Sequence, residues 1–189
     1  MTKQELRSMY RKKRSALSDQ ERDKLDDLLL IRFQSLQLPP FQRLFAYWPS
    51  EKLKEPSTHL IVRYLQFKLP GLELAYPRCN ATGDSFNAIL VDEATRFTES
   101  AMGITEPDEG LLLEPSEADL VLVPLLAVDQ EGYRVGYGKG MYDRFLQGCR
   151  PDCLTIGLSY FEPVDKIDDK QEFDVPLNIC ITPAGTYVF

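Results

Sequence analysis

Apolar residues recur at three- and four-residue intervals over the first forty positions, and beyond that in short unbroken runs separated by turns. The first pattern belongs to amphipathic helices, the second to strands buried on both faces. Thr2-x-x-Glu5 is a capping box, in which hydroxyl and carboxylate satisfy the free N–H groups of a helix start, and it predicts a helix over 3–16 with Leu6, Tyr10 and Leu17 facing inward. Ser18-x-x-Glu21 is a second box. The helix behind it carries Leu25, Leu28, Leu29 and Leu36 at core spacing and ends before Pro39-Pro40. Further helices are predicted over 58–67 and 141–147, the latter with Met141, Phe145 and Leu146 inward. Strands are predicted at 43–48, 73–76, 86–91, 120–123, 154–159 and 179–182. Residues 80–85 read as a turn. The acidic, proline-containing stretch 98–119 reads as a surface connection over a substrate cleft. Helices alternating with strands that lack two-sided polarity predict a three-layer α/β domain around a mostly parallel sheet, spanning 1–189 as one unit.

One segment departs from this simple alternation. After the strand at 120–123, Gly132, Gly136, Gly138 and Gly140 strip side chains from a loop that leads into the helix at Met141. Such a loop exposes main-chain N–H groups beside the positive end of a helix, a setting suited to a phosphate, although a glycine-rich surface turn has the same composition. Lys139 adds a mobile positive charge. Asp143 lies one turn into the helix, where a carboxylate can hold a divalent cation. The string matches neither G-x-x-x-x-G-K-[ST], since no hydroxyl residue follows Lys139, nor the dinucleotide pattern G-x-G-x-x-G.

Composition narrows the chemistry. The net charge of −7 disfavours a general nucleic-acid binder and demands a local cationic cluster if an anion is bound. Lys3, Arg7, Arg11 and Arg14 form such a stripe along the first helix, readable also as a solvated or RNA-contacting face. His59 is the sole histidine, which argues against histidine-based zinc sites and Ser-His-Asp catalysis. Cys79, Cys149, Cys153 and Cys180 lack metal-ligand spacing and read as reduced thiols. No apolar run is long enough to cross a bilayer and the N-terminus is charged, so a cytoplasmic address is the expectation.

The full string around the glycine loop resembles the signature of the 5-formyltetrahydrofolate cyclo-ligases, V-P-G-L-A-F-D-x-x-G-x-R-L-G-Y-G-x-G-Y-Y-D-R-F. Pro124, Ala127, Asp129, Gly132, Arg134, Gly136, Tyr137, Gly138, Gly140, Tyr142, Asp143, Arg144 and Phe145 match it. Leu125, Val128 and Met141 replace the usual glycine, phenylalanine and first tyrosine. Further likenesses are Lys3-Gln-Glu-Leu-Arg7 to K-x-x-L-R, Glu55-Pro-Ser-Thr58 to E-x-x-T, and Gly103-Ile-Thr-Glu-Pro107 to G-I-x-E-P. Near the end, H-D-x-P-x-D is matched at Asp174, with Phe173 and Asn178 in place of histidine and the second aspartate.

The resemblance implies a Rossmann-like fold of the sugar-phosphate isomerase kind and an ATP- and Mg²⁺-dependent cyclisation of 5-formyltetrahydrofolate. It implies that Lys3 and Arg7 reach the ATP phosphates. The cradle would be Arg134, Gly136, Tyr137, Gly138, Lys139, Gly140, Met141 and Tyr142, with Lys139, Arg134 and Tyr137 nearest the chemistry. Glu55 and Tyr137 would hold the pterin, with Glu51 a rival in the same loop, and Asp143 and Asp174 the metal. The partners would be small molecules only, with no nucleic acid or membrane, and the protein a monomer. A sugar-phosphate isomerase, or a non-catalytic nucleotide- or RNA-binding protein, remains an alternative from the residues alone.

Overall fold

Five short parallel strands form the middle of the structure, a computed structural model that describes residues 1–100 and 103–189. In chain order the strands are β1 (Arg43–Phe45), β2 (Glu73–Cys79), β3 (Phe86–Val91), β4 (Phe97–Glu99), β5 (Thr105–Pro107), β6 (Leu112–Leu113), β7 (Leu120–Val123), β8 (Ala127–Val128), β9 (Arg134–Val135), β10 (Leu154–Leu158), β11 (Ile179–Ile181) and β12 (Thr186–Val188). Eight of them make one sheet in the order β12-β11-β10-β7-β1-β2-β3-β6. From β11 to β2 every pairing is parallel, and the three outer strands run antiparallel at the two edges. The helices are α1 (Lys3–Ser15), α2 (Asp19–Gln34), α3 (Thr58–Lys68) and α4 (Met141–Gln147).

The two-residue period of a strand divides the core between the sheet's faces. In β7 all four residues are fully buried: Leu120 and Leu122 meet Leu29, Phe33 and Ile61 of α2 and α3, while Val121 and Val123 meet Phe145 and Leu146 of α4. A third cluster lies outside the sheet, where Leu6 and Tyr10 of α1 cover the β8–β9 hairpin at Ala127 and Val135. Each buried aliphatic side chain contributes about 1.5–3 kcal/mol, so α1 is held firmly over the segment that carries the glycines.

Both capping boxes form as predicted. Several expectations need correction. Leu28 is 41% exposed, because the buried face of α2 runs through Arg22, Asp26, Leu29 and Phe33. Arg14, grouped with the basic stripe of Lys3, Arg7 and Arg11, is 4% exposed: it stands four and eight residues after Tyr10 and Leu6, on their side of the helix. The stretch 98–119 is not a bare connection. It contains β5, β6 and a short 3-10 turn, and with Phe97 it completes the β4–β5 hairpin, whose Glu106 accepts from the Cys79 N–H at 2.9 Å. Its acidic residues hide the alternation from sequence; Ala101 and Met102 lie outside the described residues. The hairpins β4–β5 and β8–β9, and the edge strand β12, are too short to announce themselves by periodicity.

Candidate active site

The glycine loop connects β9 to α4. Gly138 and Gly140 adopt φ of +97° and +62°, left-handed values that disfavour any side chain, and Gly140 is the residue that opens α4. A Cβ at Gly138 would stand 3.3 Å from the guanidinium carbon of Arg7. The glycine therefore lets α1 lay an arginine flat against the loop, and Arg7 Nε donates to Gly136 O at 3.0 Å. Lys139 reaches the other way and donates to Gly83 O at 2.6 Å, in the β2–β3 turn, while Arg144 binds Asp84 O in the same turn. Cations from three segments thus surround the loop of a protein whose net charge is −7.

Lys3 ion-pairs with Asp174, whose carboxylate also accepts from Gln171 N at 2.7 Å. Arg134 is buried. It donates to Asp143 at 2.9 Å and to Val175 O at 2.5 Å, and burial lowers its pKa while Asp143 and Asp174 oppose that fall. Asp143 also accepts from Val175 N at 3.1 Å. Arg134 is thus a bracket between the first turn of α4 and the Asp174–Val175 segment. Among the described residues no group of three His, Cys, Asp or Glu side chains is gathered as a metal site. Two carboxylates flanking one guanidinium are still a donor set compatible with magnesium, which takes few protein oxygens and completes its shell with water and substrate phosphate.

Asp129 and Asn178, both within family motifs, serve the fold. Asp129 is fully buried and accepts from the N–H groups of Glu131, Tyr133 and Ile167 at 3.0, 3.0 and 3.1 Å. Asn178 Oδ1 accepts from Thr155 N and Oγ1 at 2.8 and 2.9 Å, aligning β10 with β11. Phe173, at the histidine position, is 56% exposed. Leu125, at the glycine position, is 2% exposed and packs where Gly157 leaves room.

The second half of the site is dry. Glu55 ends the loop that follows β1 and is 6% exposed, whereas its rival Glu51 is on the surface, paired with Arg22 at 2.9 Å. Tyr137, a residue of the glycine loop, donates its hydroxyl to Glu55 Oε1 at 2.5 Å, and Ser50 N donates to Oε2 at 2.8 Å. Burial raises the Glu55 pKa above its ordinary value, against the opposing pull of those two bonds and the Arg14 charge. Thr58 does not cap α3 but is buried and donates to Tyr47 O at 2.7 Å, fixing the loop from below. Tyr142 packs its ring on Phe86 and Phe45, at 5.0 and 5.9 Å between centroids, and its enclosed hydroxyl has no partner among the described residues. Met141 is half-buried beside it.

Sequence reasoning missed Arg14, whose Nη2 donates to the Tyr137 hydroxyl at 2.6 Å. The signal was available: a charged residue on the apolar side of a helix. It also missed Arg144 as a clamp on the β2–β3 turn. A separate cavity of about 510 Å³ opens beside α3, walled by Trp48, His59, Tyr76 and Phe97 among others. No residue of the glycine loop borders it, so it is not the anion site.

Fold and site together define an α/β protein whose glycine-rich loop is joined, through one tyrosine, to a buried carboxylate. A model of the 5-formyltetrahydrofolate cyclo-ligase family matches residues 1–183. The 5-formyltetrahydrofolate cyclo-ligase of Mycoplasma pneumoniae is 27% identical over 183 residues, covering 96% of this chain and 98% of that one. The NMR structure of Aquifex aeolicus 5,10-methenyltetrahydrofolate synthetase superposes with a TM-score of 0.80 at 30% identity, covering 100% of this chain and 93% of that one. The 5,10-methenyltetrahydrofolate synthetase structure from Mycoplasma pneumoniae gives 0.74 at 25% identity, with 96% and 98% covered. The chain belongs to the 5-formyltetrahydrofolate cyclo-ligase family, and is an enzyme of the ligase class.

Proposed function

We propose that the protein cyclises 5-formyltetrahydrofolate to 5,10-methenyltetrahydrofolate at the cost of ATP, releasing ADP and phosphate. The observation that carries this reading is the Tyr137 bridge. It puts a cradle suited to a triphosphate and a buried acceptor suited to a pterin one side chain apart.

The N5-formyl group is an amide: its carbon is a poor electrophile and its oxygen a poor leaving group. Transfer of the γ-phosphoryl from ATP to that oxygen gives ADP and an iminium phosphate. N10 of the same folate attacks the carbon, N10 loses its proton, and the C–O bond breaks to release phosphate. No protein nucleophile is required, so the enzyme contributes position and charge.

In this reading the main chain of Gly136, Gly138 and Gly140, with Tyr137, Met141 and Tyr142 framing the loop, holds the phosphates. Arg7 lies against the loop and Lys3 beside it to neutralise them. Lys139 exchanges its bond with Gly83 O for the transferring group. Arg134 keeps Asp143 and the Asp174 segment in place and offers its free N–H groups. Glu55, steadied by Tyr137, accepts the paired N–H bonds of the 2-aminopyrimidinone edge. Asp143 and Asp174 would hold Mg²⁺, which supplies charge neutralisation to β- and γ-phosphate oxygens. The test is to follow methenyl-folate absorbance with ATP and Mg²⁺ present together or singly omitted. Product only with both supports the reading; product without ATP, or none at all, refutes it.

A further inference from the structure

The last arginine of the basic stripe along α1 occupies the most enclosed position of any cation near the site. Arg14 is 4% exposed, on the side of α1 that carries Leu6 and Tyr10. Its Nη2 donates to the Tyr137 hydroxyl at 2.6 Å and its Nη1 to Leu125 O at 3.3 Å, while Nε is buried with no partner among the described residues. Withdrawing a guanidinium from water to this depth is unfavourable unless its hydrogen bonds and a counter-charge offset the loss. The counter-charge is one group away. A phenol has a single proton; Tyr137 accepts from Arg14, so its own proton goes to Glu55 Oε1, at 2.5 Å.

We propose that Arg14 is a positioning residue for the folate ring: by bracing the Tyr137 phenol from behind, it keeps Glu55 ionised and turned so that its free lone pairs meet the ring's N–H edge. This rests on the reading of Glu55 as the pterin ligand. Tyr137 from the glycine loop bonds the Glu55 carboxylate, and Tyr47 from the chain after β1, Tyr142 from α4 and Arg14 from α1 are the further titratable groups near enough to feel its charge. Tyr160 touches only its main-chain oxygen, at 3.3 Å, and turns to Asp26. Arg14 is the sole cation in this set. Burial disfavours a charged Glu55, and the Arg14 charge together with the Tyr137 and Ser50 bonds opposes that penalty.

The test is steady-state kinetics of the full-length enzyme against each substrate over roughly pH 5 to 9, spanning the range in which a raised carboxylate titrates. Arg14→Gln should raise KM for 5-formyltetrahydrofolate on the order of tenfold, the usual worth of a charged hydrogen bond, and leave KM for ATP within about twofold. The acid limb of kcat/KM for folate should move to higher pH. Arg14→Lys, which keeps the charge and one donor, should recover most of the loss. Tyr137→Phe cuts the same link from its other side, leaving Arg14 with Leu125 O, and should reproduce both effects, so it carries the test even if Arg14→Gln unfolds. The double variant should be no worse than Tyr137→Phe alone. An unshifted acid limb, an equal rise in both KM values, or additive effects in the double variant would overturn the role. If the parent enzyme is active and Glu55→Gln loses folate affinity while Arg14→Gln does not, Arg14 alone is rejected. If Glu55→Gln binds folate like the parent, the pterin assignment falls and takes this proposal with it.

Discussion

The two halves of the site are built on opposite principles. The glycine loop is main chain, left bare by Gly136, Gly138 and Gly140, and surrounded by long cations borrowed from α1 and from the loop itself. The Glu55 side is mainly side chain, buried, and closed by tyrosines and one enclosed arginine, with Ser50 N as its main-chain donor. A triphosphate arrives with its own charge, and mobile lysine and arginine heads near water can meet it at little desolvation cost. A pterin edge is neutral and flat, so its recognition depends on an acceptor already fixed and already dry. Variants that damage one half and spare the other test this division.

The largest effect is expected at Lys139. Lys139→Ala should lower kcat on the order of 100-fold, about 3 kcal/mol of transition-state stabilisation, with folate affinity and melting temperature close to the parent. Parent-like turnover would remove the loop from the chemistry. Glu55→Gln follows, with a loss of about 2 kcal/mol, roughly 30-fold, in KM for 5-formyltetrahydrofolate. Its pH profile is as informative as its size. Glu55 must be ionised to accept two N–H bonds, and its pKa is raised above the ordinary 4.5. Activity in the parent should therefore fall, as pH drops, at values above 4.5, and Glu55→Gln should flatten that limb.

Arg7→Ala should raise KM for ATP about tenfold, near 1.4 kcal/mol, and leave folate untouched. Gly138→Ala should reach a similar loss from the other direction, since its Cβ would press on the Arg7 guanidinium at 3.3 Å and strain a φ of +97°. The smallest effect belongs to Asn178→Asp, which restores the family residue. Its partner is Thr155, at 2.8 and 2.9 Å, rather than the loop or Asp174, so kinetics within about twofold of the parent are expected. A large gain in magnesium affinity would show that the second aspartate serves the metal instead.

How far each half could be read from sequence follows from how it is built. The glycine loop is contiguous, so spacing alone proposed Gly136 to Gly140, Lys139 and Asp143 as candidates, and the K-x-x-L-R likeness proposed Lys3 and Arg7. The parallel core was equally plain, because β7 is an unbroken apolar run and the capping boxes at Thr2 and Ser18 are local chemistry. The Glu55 side is assembled from residues 14, 50, 55, 137 and 142. Tertiary contact, which no short pattern encodes, decides that Arg14 points inward and that Tyr137 bonds to Glu55. Arg134 shows the same limit. Its place in the motif suggested a phosphate ligand, and its burial makes it first of all a bracket for Asp143 and Val175.

The division between the halves is tested most directly by calorimetric titration of Glu55→Gln with ATP and, separately, with 5-formyltetrahydrofolate. ATP should bind within about twofold of the parent Kd while folate binding weakens more than tenfold, roughly 1.4 kcal/mol or more. Equal loss of both ligands from a variant that melts like the parent would contradict the existence of two separately built subsites.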